Sequence, residues 1–163
     1  MNDYAEQKSA RHSKVTGDYG EYLVLYYLSR EGFSVAHVDQ IGLDIVGRNN
    51  ATNELIGISV KTRSGKQPSF LVSKDLEKEK KNIEYASNIF GCKPYYAFVM
   101  DYIDERNNQK MIIYIVKAER VYSSQKSDTL GLSWSMSKKK MKEYRIDSSI
   151  IKIEINHEII NWF

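Results

Sequence analysis

Cysteine is nearly absent from this chain: Cys92 is the single one in 163 residues, so no disulfide can form within it. A Cys/His zinc cluster is excluded in practice, because only His12, His37 and His157 stand beside that cysteine. There is no apolar run approaching the roughly 18 residues a membrane helix needs. The segment from Met1 to Lys14 is polar, of mixed charge and without a hydrophobic signal region, so the expectation is a cytoplasmic protein with no membrane attachment. Internal repeats and low-complexity stretches are missing too. What remains is ordinary globular composition, 42% hydrophobic and 28% charged, enough for one core in one domain. A net charge of +3 and a pI near 8.8 permit a nucleic-acid partner without requiring one.

The pattern predicts a helix N-capped by Thr16, running to about Glu31 and ended by Gly32. On it Glu21, Val24, Leu25 and Leu28 share one face at helical spacing. A carboxylate on an apolar stripe needs a cation, a basic partner or a wet cleft, since burying it alone costs several kcal/mol, in the range of about 2–7 for a polar group and more for a charge. Strands follow at Phe33 to Val38, Leu43 to Arg48 and Leu55 to Thr62, the last two joined by the reversal-prone Asn49 to Asn53. Alternation sets Leu43 and Ile45 on one side and Asp44 and Val46 on the other. In the third strand Ile56, Ile58 and Val60 point to the core, and Ser59, Lys61 and Arg63 point away. If the register brings Asp44 beside Lys61, the two flank one cleft that Glu21 can reach. Otherwise Asp44 and Lys61 form a surface pair worth about 0.2–1 kcal/mol.

Taken in order, Gly17-Asp18-Tyr19-Gly20-Glu21, Gly42-Leu43-Asp44-Ile45 and Ile58-Ser59-Val60-Lys61 resemble the PD-(D/E)xK nuclease superfamily. The likeness is to archaeal Holliday-junction resolvases and restriction-type endonucleases. It continues through Tyr85-Ala86-Ser87 and Phe90-Gly91-Cys92-Lys93-Pro94-Tyr95-Tyr96-Ala97, and covers roughly residues 15–117. The resemblance implies an α/β fold, a single domain with a central mixed β-sheet of about five strands flanked by helices. Residues 15–117 would form the nuclease-like core, and residues 118–163 a C-terminal extension packed on it. It also implies Mg²⁺- or Mn²⁺-dependent hydrolysis of DNA, with Glu21, Asp44 and the Val60 carbonyl as metal ligands, Lys61 as catalytic lysine, and a homodimer.

Ser59 stands where that pattern has a glutamate. Mg²⁺ takes about six oxygens and keeps several waters, so losing one anionic ligand weakens a site without erasing it. Serine could hold a water there, a carboxylate from elsewhere could substitute, or the chain could bind nucleic acid or a protein partner without cutting. Glu54 is a poor substitute by parity, and Glu77 or Glu79 could serve only if the next helix crosses the cleft. Arg63 and Lys66, in a basic loop, and Lys138, Lys139 and Lys140, in the densest positive run, are candidate phosphate contacts. Trp134 is expected in the core, with base stacking as the other reading.

Overall fold

The computed structural model describes residues 11–65, 69–104, 108–125 and 130–157. Helix α1 (His12–Arg30) leads to strands β1 (Phe33–Gln40), β2 (Leu43–Asn49) and β3 (Leu55–Ser64). Then come β4 (Ser69–Ser73), helix α2 (Leu76–Phe90), β5 (Lys93–Ile103), β6 (Gln109–Lys117) and the short α3 (Ala118–Ser123). The described chain closes with β7 (Leu132–Ser135), α4 (Lys138–Ile146) and β8 (Ile151–His157). One six-stranded sheet has the order β1-β2-β3-β5-β6-β8, and β4 and β7 pair as a separate antiparallel ribbon. Every neighbour in the large sheet is antiparallel except β3 and β5, whose parallel pairing requires the crossover through β4 and α2.

The central strands are buried on both faces, and their alternation divides the core in two. Ala97 and Val99 of β5, with Met111, Ile113 and Ile115 of β6, join Ile45, Ile56, Ile58 and Val60 beneath Val24 and Leu28 of α1. On the opposite face Tyr96, Phe98, Ile112, Tyr114 and Val116 pack against Ile83 of α2, Val121 of α3, Tyr144 of α4 and the β4–β7 ribbon. Trp134 is a core residue there, stacked between Phe98 at 5.2 Å and Tyr144 at 4.7 Å between ring centroids. Base stacking by Trp134 is thereby ruled out.

Three expectations need correction. Thr16 does not cap α1: the helix starts at His12, and the Thr16 hydroxyl donates to the His12 carbonyl one turn back at 2.7 Å, a bond available only inside a helix. The large sheet has six strands instead of about five, the last being the edge strand that the alternation of Ile151, Ile153 and Ile155 predicts, while the weakly patterned stretch after Ser123 supplies β7 of the separate ribbon. Leu43 and Ile45 also part company. Ile45 lies under α1, whereas the Leu43 methyls lie 2.7 Å and 3.1 Å from where a Gly57 Cβ would stand, on the side away from Ile56 and Ile58. Regular alternation therefore fails at the start of β2.

Gly42 explains that break. Its φ of +98° is a conformation L side chains rarely adopt, and a Cβ there would lie 2.5 Å from the Asn82 carbonyl oxygen of α2. The helix backbone rests directly on the residue that turns the chain into β2. Gly42→Ala is expected to destabilise the protein through both effects, roughly 1–2 kcal/mol for the backbone and about 1–3 kcal/mol for the contact. A urea unfolding midpoint unchanged from wild type would contradict this account.

Candidate active site

The β2–β3 ladder pairs Arg48 with Leu55 through Ile45 with Ile58, and there its described register ends. Beyond it the Asp44 carboxylate accepts the Val60 N–H at 2.6 Å, a bond that a β2 carbonyl would take in an unbroken ladder. Asp44 thus sits in the fork between two separating strands. The N–H and C=O of one strand residue point to the same side, so the Val60 carbonyl faces this fork as well. Burial pushes the Asp44 pKa up, the Val60 N–H opposes that, the Glu21 charge raises it further, and Lys61 and His37 lower it. The charges of Glu21 and Lys61, far apart in sequence, both bear on Asp44.

Each arrives for a local reason. Gly20 packs where a Cβ would meet Thr62 Oγ1 at 1.8 Å, so only glycine lets α1 lie this close to β3, and Glu21 follows at the rim of the contact. Glu21 has a basic partner, His37 of β1, whose Nε2 stands 2.5 Å from Oε2. That hydrogen bond raises the His37 pKa, and the Tyr22 ring stacks on the imidazole at 5.9 Å. In the sequence alone His37 stands out only as a zinc-ligand type. Its position opposite Ile45 sets it on the side of the sheet that α1 covers, a placement that only the register reveals.

Lys61 lies on the α2 side, with its Nζ 3.6 Å from Glu79 Oε1. Ser59 is buried, 2% exposed, and contributes a neutral hydroxyl. Glu54 is turned away to Lys93 at 2.7 Å. Among the described residues no three His, Cys, Asp or Glu side chains converge tightly enough to hold a metal ion. Asp44 and Glu21 offer carboxylate oxygens, the kind that suit hard divalent cations, with Glu21 already engaged by His37 Nε2. The like charge of Glu21 weighing on buried Asp44 is an arrangement a cation would relieve.

No protein-family model matches the chain, and no curated protein matches it either. Among solved structures it is similar to Hjc of Archaeoglobus fulgidus, described as a Holliday junction resolvase from an archaeal hyperthermophile. The identity is 16%, the TM-score 0.50, and the match covers 73% of this chain and 83% of the other. The fold is restriction-endonuclease-like. A single α/β domain with a mixed central sheet between helices, as the sequence motifs implied, is what the two share. Among the described residues no helix is long and apolar enough to cross a membrane.

The candidate phosphate contacts are scattered around this fold. Arg63 does not project from a loop: its Nη1 donates to the Ser69 carbonyl at 3.2 Å and its guanidinium lies over the Phe70 ring at 5.7 Å, tying β3 to β4. Lys66 lies outside the described residues. Lys138, Lys139 and Lys140 form the exposed first turn of α4, where Lys140 pairs with Glu143 at 2.6 Å. They share the α2 side of the sheet with Lys61. Tyr144 of the same helix packs on Tyr114 of β6, which sets that turn two strands away from β3, about 10 Å across the sheet.

Asp44→Asn keeps an oxygen for the Val60 N–H and deletes the buried charge. The folded pKa of Asp44 is raised, so the folded protein holds this proton more tightly than the unfolded chain. The penalty of ionised Asp44 sets in above the ordinary value of 3.8 and is complete above the raised folded value. The variant is therefore expected to melt at a higher temperature than wild type at neutral pH in a chelator, the gap closing on acidification. A lower melting temperature would refute the burial argument.

Proposed function

We propose that this protein is a divalent-metal-dependent endonuclease acting on DNA, with Asp44 at the fork as the centre of its site. One observation carries the reading: a buried carboxylate, fixed by the Val60 N–H, on which the charges of Glu21 and Lys61 both act. Phosphodiester hydrolysis needs charge stabilisation at the attacked phosphate and an oriented water. Mg²⁺ or Mn²⁺ bound by Glu21, Asp44 and the Val60 carbonyl would supply Lewis-acid charge on the phosphate oxygens. Lys61 orients the phosphate and offsets the negative charge that develops on it. The Asp44–Val60 bond keeps the fork open so that a backbone phosphate can enter. Lys138, Lys139 and Lys140 lie on the same side of the sheet and would neutralise a neighbouring stretch of the strand.

Likeness to a resolvase fold makes four-way-junction DNA the first substrate to offer. A two-fold pair of chains would present two such sites to the two strands of a junction. A second reading, DNA binding without cleavage, is favoured by the neutral buried Ser59. Labelled duplex, single-stranded and junction DNA, incubated with Mg²⁺ or Mn²⁺, separates the two. Asp44→Ala and Lys61→Ala are each expected to slow cleavage by about 10²–10³-fold. Salt-sensitive binding with no cleavage by wild type would favour the second reading, and absence of both would overturn the DNA assignment.

A further inference from the structure

Helix α1 turns Gly20, Val24 and Leu28 into the core, so its far side faces solvent, where a surface helix ordinarily carries charged and polar side chains. The far side here is aromatic. Val15, Tyr19, Tyr22 and Tyr26 follow one another at spacings of four, three and four, which sets them in one stripe opposite the buried one. They are 60%, 46%, 65% and 56% exposed. Arg11 and Arg30, both exposed, stand at the two ends of this stripe, and the stripe carries no charge between them. Asp18, beside it, is taken up by Lys14 at 2.9 Å.

The stripe also adjoins the candidate site. Tyr22 stacks on the His37 imidazole at 5.9 Å with 8° between the ring planes, and His37 in turn holds Glu21. An exposed phenol ring takes any nucleobase on its face, whatever the sequence, and guanidinium groups flanking a row of such rings suit the phosphates between the bases. From Tyr19 to Tyr26 the helix rises about 10 Å, enough for about three bases spaced about 3.4 Å apart. Self-association fits this charge pattern less well. Two copies packed stripe to stripe with Tyr19 of one against Tyr22 of the other bring Arg11 of one against Arg30 of the other, and a parallel pairing sets Arg11 on Arg11, so like charges meet at both ends.

We propose that this face of α1 is a nucleobase-stacking platform, on which Tyr19, Tyr22 and Tyr26 receive unpaired bases of a DNA strand while Arg11 and Arg30 meet its phosphates. The proposal rests on the nuclease reading and narrows the preferred substrate to DNA in which unpaired nucleotides adjoin a duplex. A fully paired duplex keeps its base faces stacked inside the double helix and offers the tyrosines none, so the platform tells the two apart. Because Tyr22 adjoins Glu21, a base seated on it carries the neighbouring phosphate toward the fork.

The test is binding by the full chain, in a chelator so that recognition is separated from cleavage, of a labelled single-stranded oligodeoxynucleotide and of a blunt duplex of the same length. Fluorescence anisotropy is read for wild type, Y19A/Y26A and the ring-keeping Y19F/Y26F, with Tyr22 left in place because it touches His37. Y19A/Y26A is expected to lower the ratio of single-strand to duplex affinity about tenfold, and Y19F/Y26F to keep the wild-type ratio. The fluorescence of 2-aminopurine placed in the single strand is expected to be quenched by wild type and not by Y19A/Y26A. An unchanged ratio overturns the platform, and leaves the nuclease reading standing if wild type cuts DNA in Mg²⁺. Loss of a dimer in sedimentation by Y19A/Y26A, with the ratio unchanged, assigns the face to contact between copies and overturns the platform as well. Wild type that neither binds nor cuts any of the DNAs overturns the nuclease reading and the platform with it.

Discussion

The hydrogen bond from the Val60 amide to the Asp44 carboxylate governs the arrangement around it. Two strands that diverge leave backbone donors without ladder partners, and a buried amide without an acceptor costs about 1–3 kcal/mol. By filling that role with a side chain, the protein lets β2 leave β3 early without that cost. The carboxylate that does this is itself held above its ordinary pKa by burial. Fold and site draw on the same atom pair, and each restrains what the other can become.

Close backbone approach is the second constraint. α1 lies on β3 through Gly20, and α2 lies on the entry to β2 through Gly42. The two helices approach from opposite faces, so Glu21 pairs with His37 on one side and Glu79 with Lys61 on the other. Neither helix could be moved outward by a single methyl group without displacing its charged residue. Placement on regular elements gives such groups more fixed positions than a loop would.

Much of this was legible in the residues. The β2–β3 hairpin followed from alternation and from Asn49 to Asn53, and the parity of Ile56, Ile58 and Val60 against Lys61 and Arg63 held because β3 is regular. The need of Glu21 for a partner followed from its place beside Val24 and Leu28, but the sequence could not name His37, since pairing across elements depends on register. Leu43 was misplaced because the left-handed Gly42 re-aims the chain, and alternation assumes an unbroken pleat. Arg63 was read as a loop cation because β4 was not foreseen: Ser69 to Ser73 is short and gains its partner only from β7, some sixty residues on. Glu79 depended on where α2 crosses, which helical periodicity does not specify.

The order of the large sheet also bears on what its border exposes. β6 is apolar on both faces and pairs with β5 on one side and β8 on the other. Without β8 the second side of β6 would be an open row of amides flanked by Met111, Ile112, Ile113 and Ile115, the kind of edge on which other chains add strands. β8 replaces that edge with one carrying Lys152 and Glu154, paired to each other at 3.0 Å, with Glu154 also 3.5 Å from Lys110. The strand that covers the apolar β6 is thus the one that carries charge toward the border of the sheet, where a bare apolar strand would invite other chains to add to it.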